Sequence, residues 1–160
     1  MSESFSACEI ELEFGDGQYL FRLPLPQIAR LQEVCGAGLG AIVGRVMRGR
    51  YTLQGEHIGL KEEADWHVKD LVETIRQGLL GGGRGIVDGA EVKVGPVEAN
   101  RLIEAYVLTR PLGEAWTLAA VILGVCIDGY QAPDEEGAKA KAPSKKAKAP
   151  KTGASTTPAH

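Results

Sequence analysis

Cysteine is scarce in this chain, and what there is cannot be paired by spacing. Cys8, Cys35 and Cys126 are far apart, and no CxxC occurs. That leaves no disulfide framework and no cysteine-rich metal site to read, and free thiols in a reducing compartment are expected. Long apolar runs are missing too. The longest, Ala115 to Ile127, is 13 residues, well short of the roughly 20 a bilayer-spanning helix needs. The opening "MSESFSACEIE" has no basic start and no apolar stretch, so no secretory leader and no membrane role are expected. Histidine occurs only as His57, His67 and His160, never four apart with a third ligand, so no metal site is expected. There is no GxSxG, no HExxH and no GxxxxGK[ST]. Ser2, Ser4 and Ser6 lie in a terminal stretch with no base or orienter in view. Catalytic residues, cofactors and cofactor-binding residues are therefore all expected to be none, and the protein is expected not to be an enzyme.

What is present is unevenly distributed. The 160 residues suit one domain. Residues 131–160 hold six lysines, three acids, and no large aliphatic or aromatic side chain. Such a segment cannot bury enough apolar surface to offset its ordering entropy, so it is expected to be disordered. Residues 1–130 hold 12 basic and 18 acidic side chains, a net of about −6. The expected division is a frayed 1–7, an ordered domain over 8–130 and the tail. A solvating or tethering tail is the first reading. Nucleic-acid contact is the second, weakened by the lack of aromatics for base stacking.

Period-two alternation opens the ordered part. Ile10, Leu12 and Phe14 face one way and Glu9, Glu11 and Glu13 the other. Gly15-Asp16-Gly17 turns the chain, and Tyr19, Phe21 and Leu23 continue the pattern, which predicts a β-hairpin. Helical spacing follows. Pro26 suits a first turn before Ile28, Leu31, Val34 and Cys35. After Gly36 and Gly38, Leu39, Ile42, Val43, Val46 and Met47 make a second helix, with Arg45, Arg48 and Arg50 near its C-terminal end. Residues 49–64 set no clean period and read as a loop with room for a short strand. The acids Glu56, Glu62, Glu63 and Asp65 read as a solvated face, with Asp65 a plausible N-cap. Val68, Leu71, Val72, Ile75 and Leu79 define a third helix. "IVDGAEVKV" reads as an irregular link. Gly95-Pro96 opens a fourth helix through Ala99, Leu102, Ile103, Tyr106 and Val107. Pro111 starts a fifth over roughly 112–127, apolar nearly all round and so expected to be the most buried. The fold class expected is α+β, mainly α: an N-terminal β-hairpin packed on about five helices.

The loudest stretch is "GLLGGGRG", Gly78 to Gly85. Its glycines follow a helix instead of preceding one, and no Lys-Ser or Lys-Thr accompanies them. A helix C-terminus presents carbonyls, which repel phosphate. The reading is a helix stop, with Gly81 as left-handed C-cap, a flexible connector behind it, and Arg84 free to touch a partner from that mobile loop.

The run of signals is specific: the hairpin into "LPLPQIARLQEVCGAGLGAIVGRVMRG", then "DLVETIRQGLLGGG", "VEANRLIEAYV", "RPLGEAW" and a closing apolar helix. Over residues 8–130 this resembles the small tail-region proteins of gene transfer agents and siphophage-like particles, a family described both as tail assembly chaperone and as tail tube protein. The resemblance implies a helper in tail morphogenesis. It would coat the tape measure protein and bring tail tube protein to it, in the bacterial cytoplasm during particle assembly or within the particle tail. A homo-oligomer is compatible with this, and nucleic acid is not the expected partner. The surface expected to serve it comprises Val46, Met47, Val72 and Leu79, with Arg84 nearby, although apolar stripes more often face a core. The alternatives are a structural tail tube subunit and a nucleic-acid-binding accessory protein that uses the basic tail.

Overall fold

The computed structural model describes residues 7–48, 50–53, 57–60 and 67–131. The chain begins with the hairpin: β1 (Glu9–Phe14) and β2 (Gly17–Arg22) pair antiparallel, Glu9 opposite Arg22 and Phe14 opposite Gly17. Leu23-Pro24 then feeds α1 (Leu25–Cys35), which Gly36 closes in the left-handed conformation, and α2 (Leu39–Arg48) follows. Where a loop with a short strand was expected, Arg50–Leu53 (β3) and His57–Leu60 (β4) form an antiparallel pair. The acidic residues Glu56, Glu62, Glu63 and Asp65 lie outside the described residues. So does the tail from 132 onward, and so do residues 1–6.

The rest of the chain completes the sheet and covers it. α3 (Val68–Gly82) leads into β5 (Arg84–Val87) and β6 (Ala90–Lys93); then come α4 (Pro96–Tyr106) and α5 (Leu112–Asp128). The main sheet runs in the order β1-β2-β5-β6, antiparallel throughout. "IVDGAEVKV" is thus a hairpin and not an irregular link. Asp88 and Gly89 both take positive φ, 49° and 76°, as a two-residue turn between antiparallel strands requires. Ala7, placed by the sequence in a frayed terminus, exchanges two backbone hydrogen bonds with Tyr130 (3.0 and 2.7 Å), tying the start of β1 to the end of α5.

Period two decides which sheet face is covered. Ile10, Tyr19 and Phe21 are buried beneath the helices, while Glu11, Glu13, Gln18, Arg22, Arg84 and Ile86 are exposed on the other face. The central helix is α3, and this corrects the expectation that α5 would be the most buried. α3 packs against β2, α1, α4 and α5. Leu71, Ile75 and Leu79 are buried on it, and so are Asp70, Glu73, Thr74 and Gln77. The apolar stripe conceals this because Asp70, Glu73 and Gln77 are satisfied internally, while the buried Thr74 hydroxyl has no hydrogen-bond partner among the described residues. Arg45 Nε and Nη2 donate to the two Asp70 carboxylate oxygens at 2.7 and 2.9 Å. Gln77 Nε2 donates to Glu73 at 2.8 Å, and Arg76 also holds Glu73. α5 buries Ala115, Trp116, Ala119, Ile122, Leu123 and Val125 and leaves its opposite side open. Trp116 Nε1 donates to the Val46 carbonyl at 2.7 Å, pinning α2 to α5.

The glycines at the end of α3 have a packing explanation. A Cβ on Gly81 would lie 2.7 Å from Pro24 Cδ, and one on Gly82 2.5 Å from the Leu20 carbonyl carbon. The last turn of α3 therefore lies backbone against backbone on β2, an approach only glycine permits. The left-handed C-cap is Gly83 (φ 70°), whose N–H reaches the Leu79 carbonyl at 2.8 Å, and not Gly81. Behind it there is no flexible connector: Arg84 opens β5, and Gly85 is buried against Tyr19.

Candidate functional site

Aromatic side chains are few in this chain, yet four of the nine gather at the turn end of the sheet. Phe14, the last residue of β1, meets Tyr19, Phe21 and Tyr106 edge to face, with centroids 6.2, 5.8 and 6.2 Å away. That geometry suits the ring quadrupoles. Gly15, at φ +60°, brings the hairpin turn onto the Tyr106 ring; a Cβ there would lie 2.6 Å from Tyr106 Cε2. A polar clasp closes the same corner. Tyr19 donates to Asp16 Oδ1 at 2.5 Å, and Arg101 bridges Asp16 Oδ2 (3.0 Å) and Glu98. The Tyr19 hydrogen bond, ahead of Arg101, holds the Asp16 carboxyl below its ordinary 3.8. Burial, and then the Asp16 bond, pushes the Tyr19 phenol up. Tyr19 and Asp16 therefore stay in opposite protonation states over the whole neutral range, a structural lock and not a proton relay.

Outside this corner runs a groove of about 1040 Å³. Its floor is apolar: Leu12 and Phe14 from β1, Tyr106 and Val107 from the end of α4, and Leu118 and Val121 from α5. Gly17, Ile86 and Gly89 of the two hairpin ends form one wall, and Glu13, Arg110, Glu114 and Thr117 stand on the rim. Arg110 lies over Tyr106, 5.4 Å from the ring centroid, and its Nη1 is 3.8 Å from Glu114. An apolar floor with a thin charged rim binds by shape and burial, with orientation supplied by a few polar groups.

Among the described residues, no three His, Cys, Asp or Glu side chains gather as a metal site would require, and no helix is long and apolar enough to cross a membrane. Burial pushes the Cys35 thiol up to about 11 and raises Cys126 as well, so neither carries thiolate at neutral pH.

Residues 7–55 match the model of a family described as phage tail tube protein, GTA-gp10. That ties the chain to the tail proteins the sequence resembles. No curated protein and no solved structure matches it. The tail-family segment spans β1, β2, α1, α2 and β3. It supplies the strand side of the groove (Leu12 to Gln18), while α4 and α5, beyond the segment, supply the opposite side.

The surface proposed from the sequence is not one surface. Val46 and Leu79 are in the core, at 1% and 0% exposure; Val72 is half-buried against it. Met47 remains exposed on α2, and Arg84 stands on the open sheet face within 3.9 Å of Glu11. The two fully buried residues follow the inward-stripe rule. His67 lies at the N-terminus of α3; the side chain of His57 and all of His160 lie outside the described residues. Sequence reasoning missed the groove because its lining comes from three separated segments. The one signal in reach was the clustering of scarce aromatics near Gly15 and Tyr106.

Proposed function

We propose that this chain is a non-enzymatic tail assembly chaperone of a phage or gene transfer agent. In this reading it holds an amphipathic helix of the tape measure protein in the groove and assists tail tube assembly in the bacterial cytoplasm. The observation that carries the reading is the groove itself, an open apolar trough on a protein tied by its N-terminal third to tail components. A helix laid in such a trough anchors through side chains at i, i+3 or i+4, and i+7. Glu13 and Glu114 on the rim favour basic residues flanking that stripe, and Arg110 favours an acidic one.

Overlapping tape measure peptides titrated against the full chain test this. One or more helical peptides should bind at micromolar concentration, and Leu118→Asp or the exposed Thr117→Arg should weaken binding at least tenfold. A wild-type protein that binds none of the peptides refutes the reading.

A second reading, a structural tail tube subunit, is favoured by the wording of the family description and by the two outer strands, β1 and β6, which could pair across subunits. Quantitative mass spectrometry of purified tails separates the two. A tube subunit is retained in many copies; a chaperone is absent or sparse.

A further inference from the structure

α5 departs from the pattern of an ordinary surface helix. Its outward side carries no charge between Glu114 and Asp128: Thr117, Ala120, Gly124 and Ile127 follow one another there, and Ile127 is 54% exposed. A helix face left in water is normally charged, as the exposed side of α1 is with Arg30 and Glu33. The C-terminal end of α5 is also charged against its dipole. Asp128 ends the helix and the last turn holds no basic residue, whereas at the other end Glu114 lies in the first turn with Arg110 just before it. An acid at a helix C-terminus is unfavourable in an isolated helix. No ion-pair partner of Asp128 occurs among the described residues.

We propose that the outward face of α5 pairs with α5 of a second copy of this chain, antiparallel about a two-fold axis near Ala120. The charge on Asp128 then finds its complement. Asp128 of each copy comes beside Gly113 and Arg110 of the other, next to the positive end of that helix and a guanidinium. In the same register Thr117 faces Gly124 and Ala120 faces Val121, so the axes can approach closely. Val121, Thr117 and Arg110 belong to both surfaces, so the pairing meets the α5 edge of the groove and leaves its strand side, Leu12 to Gln18, open. A helix of 17 residues is about 25 Å long, and one helix pair falls short of the roughly 800 Å² per partner of a standard interface. The dimer is accordingly weak and concentration-dependent.

Sedimentation velocity of the full chain across a concentration series tests this. Wild type should pass from monomer to dimer in the micromolar range. Asp128→Arg alone and Arg110→Asp alone should each shift that midpoint at least tenfold upward. Mixing the two single variants should restore the wild-type midpoint, because both pairs across a mixed dimer are then of opposite sign. Ala120→Glu should be monomeric with an unchanged far-ultraviolet spectrum. Neither Ala120 nor Asp128 lines the groove, so both of these variants should bind tape measure peptides as wild type does. A monomeric wild type, or variants that dimerise as wild type does, overturns the pairing and leaves the groove reading standing. Failure of the mixture to recover overturns the antiparallel register.

Discussion

Gly82→Ala adds one methyl group where α3 meets β2. The new Cβ would sit 2.5 Å from the carbonyl carbon of Leu20 and 3.2 Å from its Cβ, against the 3.5–4.0 Å of a relaxed carbon–carbon contact. The obstacle is backbone in the interior of a four-stranded sheet, so no rotamer change relieves it. The end of α3 must lift from β2 by roughly 1 Å, and a gap of that size forfeits a quarter to a half of each contact's dispersion energy. Leu79 and Phe21, both buried, lie beside the affected contact. Overpacking of this kind costs about 1–3 kcal/mol. The upper half of that range is expected here, less the several tenths that alanine returns in helix propensity. The control is Gly40→Ala in α2. Nothing lies within 4 Å of its added Cβ, so propensity alone acts and the protein gains about 0.5 kcal/mol. Urea unfolding followed by circular dichroism reads both. With a slope of about 1–3 kcal/mol per molar, a 2 kcal/mol loss moves the Gly82→Ala midpoint down by about 1 M, while Gly40→Ala moves slightly up. If Gly82→Ala is as stable as Gly40→Ala, the backbone-on-backbone account of the glycine run is wrong.

Other perturbations have defined outcomes. Asp70→Ala removes the two-oxygen partner of Arg45, whose side chain is 18% exposed; partial solvation trims the cost of breaking a buried pair to about 2–3 kcal/mol, and denaturant midpoints for the single variant and for Asp70→Leu with Arg45→Met should show the double variant recovering most of it. Trp116→Phe keeps the ring in the core but leaves the buried Val46 carbonyl without its indole donor, costing about 1–2 kcal/mol by the same assay. For Asp16, whose carboxyl is held below its ordinary 3.8, stabilisation is present above that value and lost as pH falls through the lower folded value. The stability gap between wild type and Asp16→Asn should therefore be constant near neutrality and close in acid; a gap that widens on acidification contradicts the assignment.

The strand–turn–strand opening and the five helices were legible because each rests on local periodicity and its punctuation. Asp88-Gly89 was equally legible as a turn, but the strands beside it are only four residues each, too short for alternation to stand out from a loop. The glycine run was read correctly as a helix end and wrongly as slack, because the strand it lies against is some sixty residues earlier in the chain. Val46 and Leu79 were legible as apolar and helical; which way they face depends on what covers them. The groove was illegible for the same reason, since the β1–β2 hairpin, the β5–β6 hairpin and the α4–α5 stretch that line it are distant in sequence.

Periodicity, turn chemistry and composition by themselves set the elements, the helix-rich class and the tail-family resemblance, because these depend on residues within a few positions of each other. Only the tertiary structure decided that α3 and not α5 is the central helix, that the glycines seat it on β2, and where the open groove lies. Those outcomes depend on long-range packing: a helix is buried when others surround it, and α3 could be surrounded because Arg45 pairs with Asp70 and Gln77 with Glu73.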